Sequence, residues 1–152
     1  MEDEIQKKKL GELLDKAEHT YNKNSEVYCP FFSSKITLNS DGFNHLLYKP
    51  NRQIRDIKVQ IIKLSLLKKA LEIIPKAGTL QEYRDRLEKI GKKQGDGFYK
   101  TKRVQYWGFN ALVDNNKHYI RVIIKQIGDG KLTFWSVMPV DKKSYSTGIE
   151  ED

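Results

Sequence analysis

His45, Lys49, Arg52, Arg55, Arg121, Lys125 and Ser136 are the residues whose chemistry suits a shared task. An imidazole titrates near neutrality and can move protons. Lys and Arg bind phosphate and stabilise the added charge of a pentavalent phosphorane, and a serine hydroxyl donates to a phosphate oxygen. Such a set suffices to cleave RNA without a metal. A base, or good positioning, activates the 2′-OH; cations hold the phosphorane; an acid protonates the departing 5′-oxygen. His45 lies in Gly42-Phe-Asn-His-Leu-Leu-Tyr48, directly ahead of the basic stretch Lys49, Arg52 and Arg55. Each residue also has a plainer reading. His45 would hydrogen-bond the turn before a helix, the arginines would form a solvated face, and Ser136 would be an ordinary strand residue.

Other features narrow the chemistry. Lys92 and Lys93 sit in the glycine-bearing loop 91–97 and suit backbone-phosphate contacts. That loop lacks the Gly-Lys-Ser/Thr of a P-loop, which argues against nucleoside triphosphate binding. Trp135 can stack a base, although tryptophans in strands more often pack. His118 beside a turn and His19 on a surface helix are weaker candidates. The three histidines and Cys29, the sole cysteine, show no metal-ligand spacing, and no paired carboxylates suggest a metal nuclease or a glycosidase. No metal and no cofactor is expected. A lone cysteine beside two phenylalanines reads as a small buried hydrophobe.

Net charge points to a polyanion. The 152 residues carry a formal charge of +8, and residues 49–103 hold 16 Lys/Arg against 6 Asp/Glu. A basic middle of this kind suits nucleic acid, with a merely Lys-rich surface as the alternative. With no secretory leader and no apolar run near the ~20 residues of a membrane span, the expected setting is cytoplasmic, without membrane contact.

The elements that must position these groups follow from periodicity. Residues 3–22 read as an amphipathic helix marked by Ile5, Leu10, Leu13, Leu14 and Ala17, with Gly11 weakening it. Residues 22–34 read as a loop, 35–39 as a short strand, and 43–48 as one or two helical turns with Asp41 available as a cap. From Asn51 to Ile74, apolar residues recur at three and four, predicting a long helix whose first turns carry Arg52 and Arg55 and whose free N–H groups help hold phosphate. Thr79-Leu-Gln-Glu82 has the pattern of a capping box and predicts a second helix to about Ile90. Strands are expected at about 98–113, 117–127 and 131–139, with turns at Asp114–Lys117 and Gly128-Asp-Gly130. On the middle strand, Ile120, Val122 and Ile124 should pack on the long helix, turning Arg121 and Lys125 the other way. The expected organisation is an N-terminal extension over 1–34, an α+β domain over 35–140 and a polar tail over 141–152.

The segments Asp41-Gly-Phe-Asn-His-Leu-Leu47, Arg52/Arg55, the long aliphatic helix, Arg121-Val-Ile-Ile124 and Lys131-Leu-Thr-Phe-Trp-Ser-Val-Met-Pro139 resemble the phage-type branch of the barnase–EndoU–colicin–RelE-like (BECR) nucleases. The similarity covers about residues 35–140. It implies helices packed on an antiparallel sheet of about four strands, and a metal-independent endoribonuclease. It further implies a toxin of a toxin–antitoxin or other mobile-element system, acting on tRNA or mRNA and held by an antitoxin or immunity protein. By this resemblance His45 matches a helix-borne histidine, Arg121 a basic strand residue and Ser136 a hydroxyl on the last strand. The chain departs from the pattern in offering no clear second histidine. Acid and base therefore stay unassigned, and a non-catalytic nucleic-acid or protein-interaction module stands as the alternative.

Overall fold

The computed structural model describes residues 2–113 and 118–140, the side chain of His118 excepted. The turn expected at Asp114–Lys117 and the polar tail fall outside the described residues. The elements in chain order are α1 (Glu2–Lys23), β1 (Glu26–Cys29), β2 (Ser34–Thr37), α2 (Ser40–Leu47), α3 (Ile57–Ile73), β3 (Glu82–Ile90), β4 (Lys100–Val113), β5 (His118–Ile127) and β6 (Thr133–Val140). They form an α+β fold with one mixed sheet of six strands, ordered β1-β2-β6-β5-β4-β3. The expected sheet of about four strands is therefore too small. β1 arises inside the segment read as a loop, and β3 replaces the second helix.

The replacement of helix by strand at 82–90 has a physical cause. The segment alternates, with Glu82, Arg84, Arg86 and Glu88 on one side and Tyr83, Asp85 and Leu87 on the other. Every residue from Glu82 to Ile90 has an antiparallel partner on β4. A capping-box pattern is worth about 1 kcal/mol, whereas a nine-residue ladder satisfies backbone groups along its whole length. The non-local pairing wins.

One face of the sheet is covered by helices. Ile120, Val122 and Ile124 of β5, Phe134 and Val137 of β6, and Trp107 and Phe109 of β4 pack with Leu64, Leu67 and Ala70 of α3 and Ala17 of α1. The β5 alternation is thus as expected. The other face carries a second cluster of Val104, Tyr106 and Ile123, flanked by Trp135 and Met138. A bulge at Ile123/Ile124 lets Ser136 oppose Ile123 while Phe134 opposes Ile124, leaving Trp135 as the extra residue.

α3 begins at Ile57, capped by Asp56, whose side chain accepts the Lys58 N–H. The long helix is therefore shorter than expected. Residues 48–54 instead form a tight reversal, with a bridge between Tyr48 and Ile54 and Arg52 at φ 69°. Arg52 and Arg55 precede the helix rather than occupying its first turns. Gln60 and Lys63 lie on its buried face, while Val59 and Ile62 stay exposed.

Candidate functional site

β2 meets β6 only at Thr37↔Thr133. Beyond that point α2 and α3 lie along β6. Asn39 caps α2, accepting the Gly42 N–H at 3.0 Å; Asp41, the expected cap, is left for other work. Gly42 is buried against the Phe134 carbonyl, so close that a Cβ would collide with it. This approach sets His45, one turn later, against β6.

His45 stacks on Trp135 with ring centroids 4.1 Å apart and planes 16° from parallel. Behind it, Arg55 is buried. Its Nε–H donates to the His45 backbone carbonyl at 2.9 Å, and its Nη2 lies 3.2 Å from His45 Nε2. A guanidinium can only donate, so Nε2 accepts and the proton of this neutral ring sits on Nδ1. The same arginine binds a carbonyl in the last turn of α2, where a cation is favoured by the helix dipole. Lys125 Nζ lies 3.7 Å from the Trp135 ring centroid and 5.6 Å from that of Tyr106. Burial pushes its ammonium below the ordinary lysine value, against the opposing pull of Glu88 and Asp41.

These groups border a cleft of about 760 Å³. α2 contributes Asp41, Asn44 and His45, and the reversal after it contributes Tyr48, Lys49 and Arg52. The strands contribute Lys125, Thr133 and Trp135, with Lys131 from the turn between β5 and β6. Four cations around an aromatic pair make an anion-binding wall, with one carboxylate, Asp41, among them.

The structure thus brings His45, Lys125, Lys49, Arg52 and Trp135 together, and places Arg55 as the support of His45. It does not bring Arg121 or Ser136 to the cleft. Arg121 lies four residues from Lys125 along β5, about 13 Å of extended chain. It is buried, donating from Nε to Asn110 Oδ1 and from Nη1 to Glu82 Oε2, both at 2.8 Å. Ser136 is fully buried and accepts from Lys63 Nζ at 2.9 Å, a lysine that also donates to the Val137 carbonyl at 3.2 Å. The phosphate-binding roles expected for Arg121 and Ser136 give way to buried charge pairing and lysine solvation. Lys92 and Lys93 are exposed at the tip of the β3–β4 hairpin, which runs past the end of β5, and do not line the cleft.

Sequence reasoning missed Asp41, Asn44, Tyr48 and Lys131 as cleft residues. Asp41 and Tyr48 lie four and three residues from His45, and Asn44 lies three and four from those two, so the signal was present once α2 was known to start at Ser40. Lys131 was hidden because its position depends on how β6 approaches α2.

Cys29 is buried, and that burial pushes its thiol up. Among the described residues no cluster of His, Cys, Asp or Glu is placed to hold a metal ion, and no helix is long and apolar enough to cross a membrane. No family model, curated protein or solved structure matches the chain.

Proposed function

We propose that this chain is a metal-independent endoribonuclease whose active centre is the cleft between α2 and the β5–β6 hairpin. The observation that carries the reading is the pairing of a desolvated lysine, Lys125, with the histidine His45 across Trp135, inside a wall of Lys49, Arg52 and Lys131. A lysine whose protonation burial disfavours is suited to take the 2′-OH proton, or to neutralise the phosphorane once charged. The Nδ1–H of the neutral His45 ring suits a hydrogen bond to a phosphorane oxygen, and the proton that Lys125 takes from the 2′-OH is the one passed on to the departing 5′-oxygen. Lys49, Arg52 and Lys131 would hold the flanking phosphates. The reaction would leave a 2′,3′-cyclic phosphate and a 5′-hydroxyl. The roles of toxin and of captive of an antitoxin or immunity protein rest on the sequence resemblance alone.

One observation favours a binding module without catalysis: Arg55 engages His45 Nε2, as it would for a purely structural histidine. The two readings part on cleavage. With RNA and excess chelator, the wild-type chain should cut. His45→Ala and Lys125→Ala should each lower the rate at least about 100-fold, the usual scale of a lost transition-state donor or proton-transfer group. Salt-sensitive binding with no cleavage would assign the cleft to the binding module.

A further inference from the structure

β3 ends the sheet, and its outer side pairs with no described strand. It is nine residues long, and no described helix packs along it as α2 and α3 do along β6. Unpaired edges of this length are normally blunted, because they template pairing with another chain. The charges here do not simply repel: they are arranged to complement a copy of themselves.

The backbone phase can be read from the hydrogen bonds. The Gly128 N–H donates to the Arg103 carbonyl at 2.7 Å, so odd-numbered residues of β4 turn their backbone groups toward β5 and even-numbered ones toward β3. The register runs from Glu82↔Gly108 to Ile90↔Lys100. Even-numbered residues of β3 are therefore bonded inward, while Tyr83, Asp85, Leu87 and Lys89 present their N–H and C=O groups outward.

We propose that β3 pairs antiparallel with β3 of a second copy of this chain, about a two-fold axis through Leu87, joining two sheets into one of twelve strands. In this register Leu87, 75% exposed in the single chain, meets its own counterpart. Arg86 faces Glu88 of the second copy, and Asp85 faces Lys89, each pair occurring twice by symmetry. The pairing also extends ladders already present. Asp85, held by Arg103 at 2.7 Å, gains a lysine on its other side. Glu88, opposite Lys102 on β4, gains an arginine. Neighbouring two-fold registers are worse: an axis at Asp85 sets Asp85 on itself and Glu82 on Glu88, and an axis at Arg86 sets Arg86 on itself.

Sedimentation velocity of the full chain over a concentration series tests this. Wild type should show a monomer–dimer equilibrium. Leu87→Pro removes an outward N–H without touching the β3–β4 ladder; it should be monomeric with an unchanged melting curve. Arg86→Glu and Glu88→Arg alter an intrastrand pair that also touches Tyr106, so each variant's melting curve is compared with wild type before its association is read. Each alone puts like charges in register and should weaken self-association about tenfold or more. Mixed together, the two variants restore both Arg–Glu pairs and should form a heterodimer. A wild-type chain monomeric at every concentration overturns the proposal and leaves the edge to a strand of some other protein. A Leu87→Pro dimer, or charge variants that do not associate on mixing, overturns it equally.

Discussion

Ser136 and Lys125 show how far burial changes what a polar residue does. Ser136 solvates a lysine that enters the core from α3, with the Val137 carbonyl as the second acceptor. Ser136→Ala removes one of those acceptors from a buried ammonium and should cost about 1–3 kcal/mol in urea unfolding. Cleavage per folded molecule should persist, and a mutant that stays stable but loses cleavage would return Ser136 to the chemistry. Lys125 gives a pH signature. Its folded pKa is lowered by burial, so the unfolded chain binds more protons between that depressed value and 10.5. Through this window wild-type stability gains with rising pH. Lys125→Met cannot titrate there, so wild type minus mutant should shift in favour of wild type as pH rises. Parallel stability curves across pH 7 to 10, measured by chemical denaturation, would deny the lysine its desolvated state.

At the scale of elements, α2 is the part that makes the cleft. Its seat depends on the absence of a side chain at Gly42, where the helix meets the Phe134 carbonyl. Gly42→Ala should cost about 1–3 kcal/mol through overpacking, and it should displace His45 from Trp135, lowering cleavage as well. Gly11→Ala is the control. Gly11 lies in α1 with nothing within 4 Å of an added Cβ, so the change should stabilise by about 0.5–1 kcal/mol through helix propensity. Equal effects in thermal melts of the two variants would remove the special role of the α2–β6 approach. Amphipathic spacing made α1, α3 and the three C-terminal strands legible. It did not reveal β1, which is four residues long, or β3, whose charged alternation serves an edge strand rather than a core. Nor did it reveal that Gln60 and Lys63 would share the buried side of α3, since spacing counts apolar residues and both of these are polar.

For the molecule as a whole, the charge surplus of residues 49–103 is divided by the fold. Lys49 and Arg52 reach the cleft and are joined there by Lys125 and Lys131 from the charge-balanced C-terminal third. Arg55, Arg84, Arg86 and Arg103 are engaged with His45, Glu82, Glu88 and Asp85. RNA affinity should therefore depend on the cleft cations rather than on total charge. Arg52→Gly suits the left-handed backbone at that position, so it should leave stability equal or higher. It should also lower the salt dependence of single-stranded RNA binding by about 0.7 in log–log slope, one phosphate contact. A slope unchanged by Arg52→Gly, in a titration from low to high salt, would place the RNA elsewhere. By itself, the sequence determined the α+β class, the basic character, the long helix and the inward aliphatic face of β5. These follow from composition and local period. Only the tertiary structure decided which polar groups meet. Pairing of β3 with β4, the bulge at Trp135 and the seating of α2 on β6 depend on contacts between residues far apart in the chain. A local pattern cannot distinguish a buried, paired Arg121 from a Lys125 that borders open space.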